Sequence, residues 1–150
     1  MSKKSIIILF LLIISPVIIY FLWPSDESRI KKLIKQGAGA IEKGEIDNVM
    51  SKVSFNYQDD YGFTYLLIKR VLEEQFKTMS DIKIEYENLK IAVKENSATA
   101  ELDVRVIATI GNQTGYVIGE IKRPEHLKFT LEKEHAKWLV IKTEGLPFQP

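Results

Sequence analysis

Apolar residues are massed at the start of the chain and then thin into two successive periods. Ile6 to Trp23 (IIILFLLIISPVIIYFLW) runs 18 residues without a charge, interrupted only by Ser15 and Tyr20 as polar groups. As a helix rising roughly 1.5 Å per residue, the run is about 27 Å long, enough to cross a bilayer's hydrocarbon core. Pro16 in its middle would kink a soluble helix and is better tolerated in a membrane one. From Ser25 the apolar and small positions Ile30, Leu33, Ile34, Gly37, Ala38 and Ile41 recur at helical spacing. Ser25 is placed to cap this helix, with Asp26 and Glu27 at its positive end. The GAGA cluster at 37–40 weakens it by roughly 1 kcal/mol per glycine, so a close approach of another backbone is expected there. Gly44 ends the helix. A short one follows with Ile46, Val49, Met50 and Val53 inward, and a third presents Ile68, Val71, Leu72, Phe76 and Met79 on one face.

Beyond Ser80 the period falls to two. Ile82, Ile84 and Tyr86 alternate with Lys83, Glu85 and Glu87, but the apolar set then resumes on odd positions at Leu89, Ile91 and Val93. A strand cannot change face without an inserted residue, so a β-bulge is expected near Glu87–Asn88. KENS (94–97) is a turn, and the next strand buries Ala100, Leu102, Val104, Val106 and Ala108. GNQTG (111–115) reads as a second hairpin loop before a short strand over about 116–121. After the break at KRPEH, Leu127, Phe129 and Leu131 alternate, and KWLVIKTEG closes the sheet through Trp138 and Val140. Helices grouped ahead of meandering strands predict an α+β fold: three helices on a curved antiparallel sheet of four to five strands, behind one transmembrane helix. The segments are 1–24 (signal anchor), 25–146 (folded domain) and 147–150 (tail).

Composition sharpens the first segment. Lys3 and Lys4 precede the apolar run, as in a signal sequence or signal anchor. The exit, YFLWPSDES, has no small-residue pair suited to a leader peptidase, and the chain has no cysteine for lipoprotein processing. An uncleaved single-span anchor is therefore expected, with Tyr20 and Trp23 at the interface and the C-terminal domain outside the cytoplasm, at the inner or plasma membrane. With Lys3 and Lys4 set aside, the 21 basic residues become 19 against 20 acidic ones, a net charge of −1. That balance argues against a nucleic-acid partner. Lys31, Lys32 and Lys35 read as a solvated helix face, with contact to anionic lipid as the alternative.

The helix order, the YQDDYG turn before the third helix, the bent first strand and the ending LKFTLEKEHAKWLVIKTEG together make residues 26–145 resemble the nuclear transport factor 2-like superfamily. Its SnoaL-like and ketosteroid-isomerase-like domains are cystatin-like cones. The resemblance implies an apolar pocket that takes a hydrophobic small molecule, and homodimers formed through the sheet. It does not imply a single function.

The stretch NYQDDYGFTY (56–65) looks most like a site. Asp59 and Asp60 are the candidate catalytic carboxylates, because a carboxyl in an apolar pocket has its pKa raised and becomes a usable acid or base. The structural alternative makes one of them the cap of the third helix, with Gly62 easing the entry. Residues 25–43 hold no tyrosine to serve as an isomerase-type oxyanion donor, and Asp103 falls on the exposed parity of its strand. Tyr57, Tyr61, Phe63, Tyr65, Tyr86 and Trp138 are the expected pocket residues. His126 is expected to face away from the core and His135 to sit in a turn, which makes a poor metal site. No cofactor is expected, and glycine-rich phosphate loops and serine-nucleophile motifs are absent from the sequence. Asn112-Gln113-Thr114 matches a glycosylation acceptor, which matters only in a eukaryotic secretory route. The reading is a non-enzymatic, membrane-anchored cone domain for ligand binding or protein interaction at the cell envelope. Its alternatives are a SnoaL-like enzyme on a hydrophobic small molecule and a secretion-system-like assembly subunit.

Overall fold

The computed structural model describes residues 3–147; most of the tail expected at 147–150 lies outside the described residues. The apolar run is the helix α1 (Lys3–Leu22), which has no buried residue and is long and apolar enough to cross a membrane. Three residues later α2 (Asp26–Glu42) begins, and Ser25 Oγ accepts the Ser28 N–H at 3.1 Å as its cap. Gly44 turns out of it at φ 66°. The short α3 (Ile46–Met50) and then α4 (Tyr65–Thr78) follow.

α4 passes into β1 (Met79–Lys94) without a loop. The remaining strands are β2 (Ser97–Ile110), β3 (Gln113–Ile118), β4 (Glu125–Glu134) and β5 (Lys137–Glu144). All pair antiparallel. β2 is central: β1 flanks its whole length on one side, while β4 covers its first half and β3 its last residues on the other. β5 pairs β4. The short strand thus starts at Gln113, three residues earlier than the sequence suggested, because Ile110 pairs directly with Gln113 around Gly111 and Asn112.

The bulge expected near Glu87–Asn88 lies between Glu87 and Lys90, with Asn88 at φ 57°. A second bulge between Ser80 and Lys83 places Asp81 at φ 48°. A third irregularity offsets β5 after Leu131↔Val140, so that Phe129 meets Thr143. Bulges bend the bulged strand and increase its twist, so the sheet curls around α2. Its inner face supplies Ala100, Leu102, Val104, Leu127, Leu131 and Trp138 to the core, and α2 supplies Ile30 and Ile34.

The exposed edge of β5 is closed by the segment after α3. Ser54 N–H donates to Val140 O, Val140 N–H to Lys52 O and Gln58 N–H to Ile141 O, each at 2.9–3.0 Å. This blunts an edge that would otherwise be open to pairing. Gly145 ends the strand at φ 90°, where an added Cβ would lie 2.1 Å from His126 O.

Candidate functional site

Between the inner face of the sheet and the helices lies a cavity of about 510 Å³. Its floor is Leu102, Val104, Leu127 and Phe129 of the sheet; α2 contributes Leu33, Gly37 and Ala38, and α4 contributes Ile68, Leu72, Gln75 and Phe76. Small side chains on α2 leave the space that larger ones would fill. The close backbone approach expected at the GAGA cluster is not made: a Cβ on Gly37 would meet only the Lys52 side chain, in ordinary contact at 3.6 Å, and Gly39 faces open space. α4 has no fully buried residue. The helical face expected to be core is instead a wall of the cavity, its residues half-buried.

Five lining residues carry polar side-chain groups: Lys52, Tyr57, Gln75, Tyr86 and Thr143. Thr143 reaches the inside because the β5 irregularity switches the strand's parity after Val140. Among the described residues, no carboxylate and no histidine lines the cavity. Burial pushes the Tyr57 hydroxyl up to about 12, and the charge of Asp59 adds to the effect. Tyr57 is therefore protonated at neutral pH and acts as a hydrogen-bond donor; it cannot be a general base there.

Asp59 stands behind Tyr57. One oxygen accepts the backbone N–H groups of Tyr61 (3.0 Å) and Phe63 (2.9 Å), and the other lies 3.3 Å from the Tyr57 hydroxyl. It is buried, and its carboxylate closes the 59–63 turn. Neither Asp59 nor Asp60 caps α4: the N-cap is Thr64, with no side-chain bond to the helix. Asp60 points outward and pairs with Lys142 at 2.9 Å.

Of the six aromatic pocket candidates, Tyr57 and Tyr86 line the cavity. Tyr61 is exposed, and Phe63 lies in the turn outside the lining. Tyr65 packs against Phe55 with ring centroids 4.6 Å apart and planes tilted by 47°. Trp138 is buried at the start of α2, where its Nε1 donates to Asp26 Oδ1. A loop aromatic has no periodicity to reveal its direction, so the cluster's composition misled. The residues that sequence reasoning missed are Lys52, Gln75 and Thr143.

The outer face of the sheet is polar. Asp103 accepts from Asn88 Nδ2 (2.8 Å) and sits 2.9 Å from His126 Nδ1, and these bonds, Asn88's first, hold its carboxyl below the usual range. Arg105 pairs Glu87 at 3.1 Å. His126 faces solvent and His135 occupies the β4–β5 turn, as expected. Among the described residues, no group of three acidic, histidine or cysteine side chains could hold a metal ion.

Solved structures share this fold. A protein of unknown function from Nostoc punctiforme with a cystatin-like fold aligns with TM-score 0.62 over 79% of this chain and 87% of its own, at 16% identity. The fold is cystatin-like. A nuclear transport factor 2-like protein from Novosphingobium aromaticivorans matches the cystatin-like domain at TM-score 0.61 and 15% identity, over 79% of each chain. A candidate scytalone dehydratase from the same organism matches at TM-score 0.67 and 13% identity, over 81% of this chain and 87% of its own. No family model and no curated protein matches the sequence.

Proposed function

We propose that this chain is a membrane-tethered binding domain whose cavity holds an apolar small molecule and performs no chemistry on it. The observation that supports it is the cavity itself: about 510 Å³, apolar walls, isolated polar groups and, among the described residues, no carboxylate or histidine on its lining. Ligand sites in general are concave, mostly apolar and of about 300–1,000 Å³, with a few polar groups that fix orientation. Acid–base turnover needs a group that exchanges a proton near neutral pH, and the lining offers a lysine and two tyrosines instead. α1 supports the tether by its length and its freedom from charge between Ile6 and Trp23.

The enzyme alternative draws on the neighbour described as a candidate scytalone dehydratase. In this chain the residues for it would be Tyr57 as hydrogen-bond donor with Asp59 behind it. A homodimer through the sheet would have to bury the Asp103, His126, Arg105 and Glu87 rows, which costs desolvation unless the partner pairs them; the binding reading does not depend on it.

The test uses the full chain in phosphatidylcholine nanodiscs, titrated with an uncharged environment-sensitive fluorophore. Saturable binding that is lost in Leu72→Trp, which fills the cavity from α4, is the expected result. Equal binding to empty nanodiscs and to the variant would overturn the reading. The tether is tested separately: after alkaline washing of membranes the intact chain should stay in the pellet, and a mature N-terminus between Ser25 and Lys32 would contradict an uncleaved anchor.

A further inference from the structure

A second concavity of about 430 Å³ lies between the first turns of α2 and the start of β5. Its wall carries Arg29, Lys32, Lys52 and Lys137 and, among the described residues, no carboxylate. Lys52 and Leu33 belong to the walls of both this cleft and the apolar cavity, so the two meet across a single layer of side chain. The Lys52 stem lies in that layer beside Gly37, and the Lys52 Nζ donates to Asn48 Oδ1 at 3.0 Å. Arg29 is spoken for by Asp26 and Ala136 O; Lys32, Lys52 and Lys137 form no ion pair among the described residues. Asp26 offsets the charge of Arg29, which leaves these three lysines on one concave wall; they repel, and a bound anion relieves the repulsion.

The cleft is also held near the membrane segment. Pro24 is part of its wall. A chain spans at most about 3.6 Å per residue, so the interval from Leu22 to Asp26 keeps the start of α2 within about 14 Å of the end of α1.

We infer that the ligand is a single-chain anionic amphiphile: its acyl chain fills the apolar cavity, and its carboxylate or phosphate head lies in the basic cleft against Lys52. This rests on the reading of the cavity as an apolar binding site and adds the class of ligand. The cavity has room for one acyl chain and is smaller than a two-chain phospholipid.

The experiment places the full chain in phosphatidylcholine nanodiscs with a photoreactive hexadecanoic acid or the hexadecanol of the same chain, and maps labelled peptides by mass spectrometry. The acid should label α4 and β4 peptides roughly tenfold more than the alcohol, the worth of one charge-assisted hydrogen bond. In the double variant Lys52→Met and Lys137→Gln the acid should fall to the level of the alcohol. A circular dichroism spectrum and thermal midpoint matching those of the unaltered chain show that the double variant is still folded. Equal labelling by acid and alcohol in the unaltered chain overturns the anionic head while leaving the apolar site standing. A preference that survives the double variant overturns the cleft as the head's location. No labelling of the cavity by either probe overturns this inference and the binding reading together. A lysophosphatidic acid competitor that displaces the acid, where inorganic phosphate at the same concentration does not, assigns the anion to an amphiphile instead of a free ion; the reverse overturns that assignment.

Discussion

The Trp138 indole Nε1 donates to Asp26 Oδ1 at 2.9 Å, joining the first turn of α2 to the start of β5 across 112 residues of sequence. Lys133 Nζ reaches the same carboxylate at 2.9 Å and lies 5.6 Å from the centre of the Trp138 ring. One carboxylate thus sits at the positive end of a helix, beside the Ser25 cap, and ties it to the closing hairpin. The basic cleft sits beside this junction.

The bond from Trp138, and after it the bond from Lys133, lower the Asp26 carboxyl from its usual 3.8. A folded-state pKa below the unfolded one gives stability that is present above about pH 4 and lost as pH falls through that value toward the folded one. Asp26→Ala should cost about 1–2 kcal/mol at pH 7 by leaving the indole N–H without its acceptor, with solvent at the carboxylate screening the Lys133 share. Denaturant unfolding of the unaltered chain and of Asp26→Asn, compared at pH 7 and pH 3, should show their difference shrinking at the lower pH. A constant difference would contradict the pairing.

Asp59 and Asp60 separate cleanly. Asp59→Ala removes the buried acceptor of two backbone donors in a part-buried turn and should cost about 1–3 kcal/mol, whereas Asn keeps the accepting oxygen and should cost much less. Asp60→Ala removes one exposed ion pair and should change stability by less than about 1 kcal/mol. Both Asn variants should complement a deletion fully. Loss of complementation by a well-folded Asp59→Asn protein would favour the enzyme alternative.

Phe76→Ala tests the loose packing of α4. A fully buried phenylalanine costs about 3–5 kcal/mol on truncation to alanine, but Phe76 is half-buried against open cavity, so about 1–2 kcal/mol is expected. Urea unfolding monitored by the two tryptophans measures it. A loss above 3 kcal/mol would mean that the cavity collapses onto α4 in solution.

Much of the fold was legible because burial imposes a period. The parity switch from Tyr86 to Leu89 announced the bulge at Asn88, since apolar residues stood on both sides of it. The bulge at Asp81 gave no such sign: it opens the strand, with no earlier parity to break. Thr143 turned inward by the same kind of shift, in a run where Val140 and Ile141 are both apolar and either register reads well. The cavity is an emptiness, and its trace in the sequence was the run of small residues on α2, which suggested a neighbouring backbone equally well. Lys52 was unreadable as a site residue because only the fold brings it over Gly37.

The central claim is that the cavity is occupied by an apolar molecule that leaves unchanged. Native mass spectrometry of the full chain, released from membrane nanodiscs after mild purification, tests it most directly when paired with identification of the released species. The account predicts a near-stoichiometric apolar adduct on the unaltered chain, absent from Leu72→Trp, and recovered with the same mass after prolonged incubation. A bare chain with no adduct even when apolar ligand is supplied, or an adduct whose mass changes with time, would contradict it.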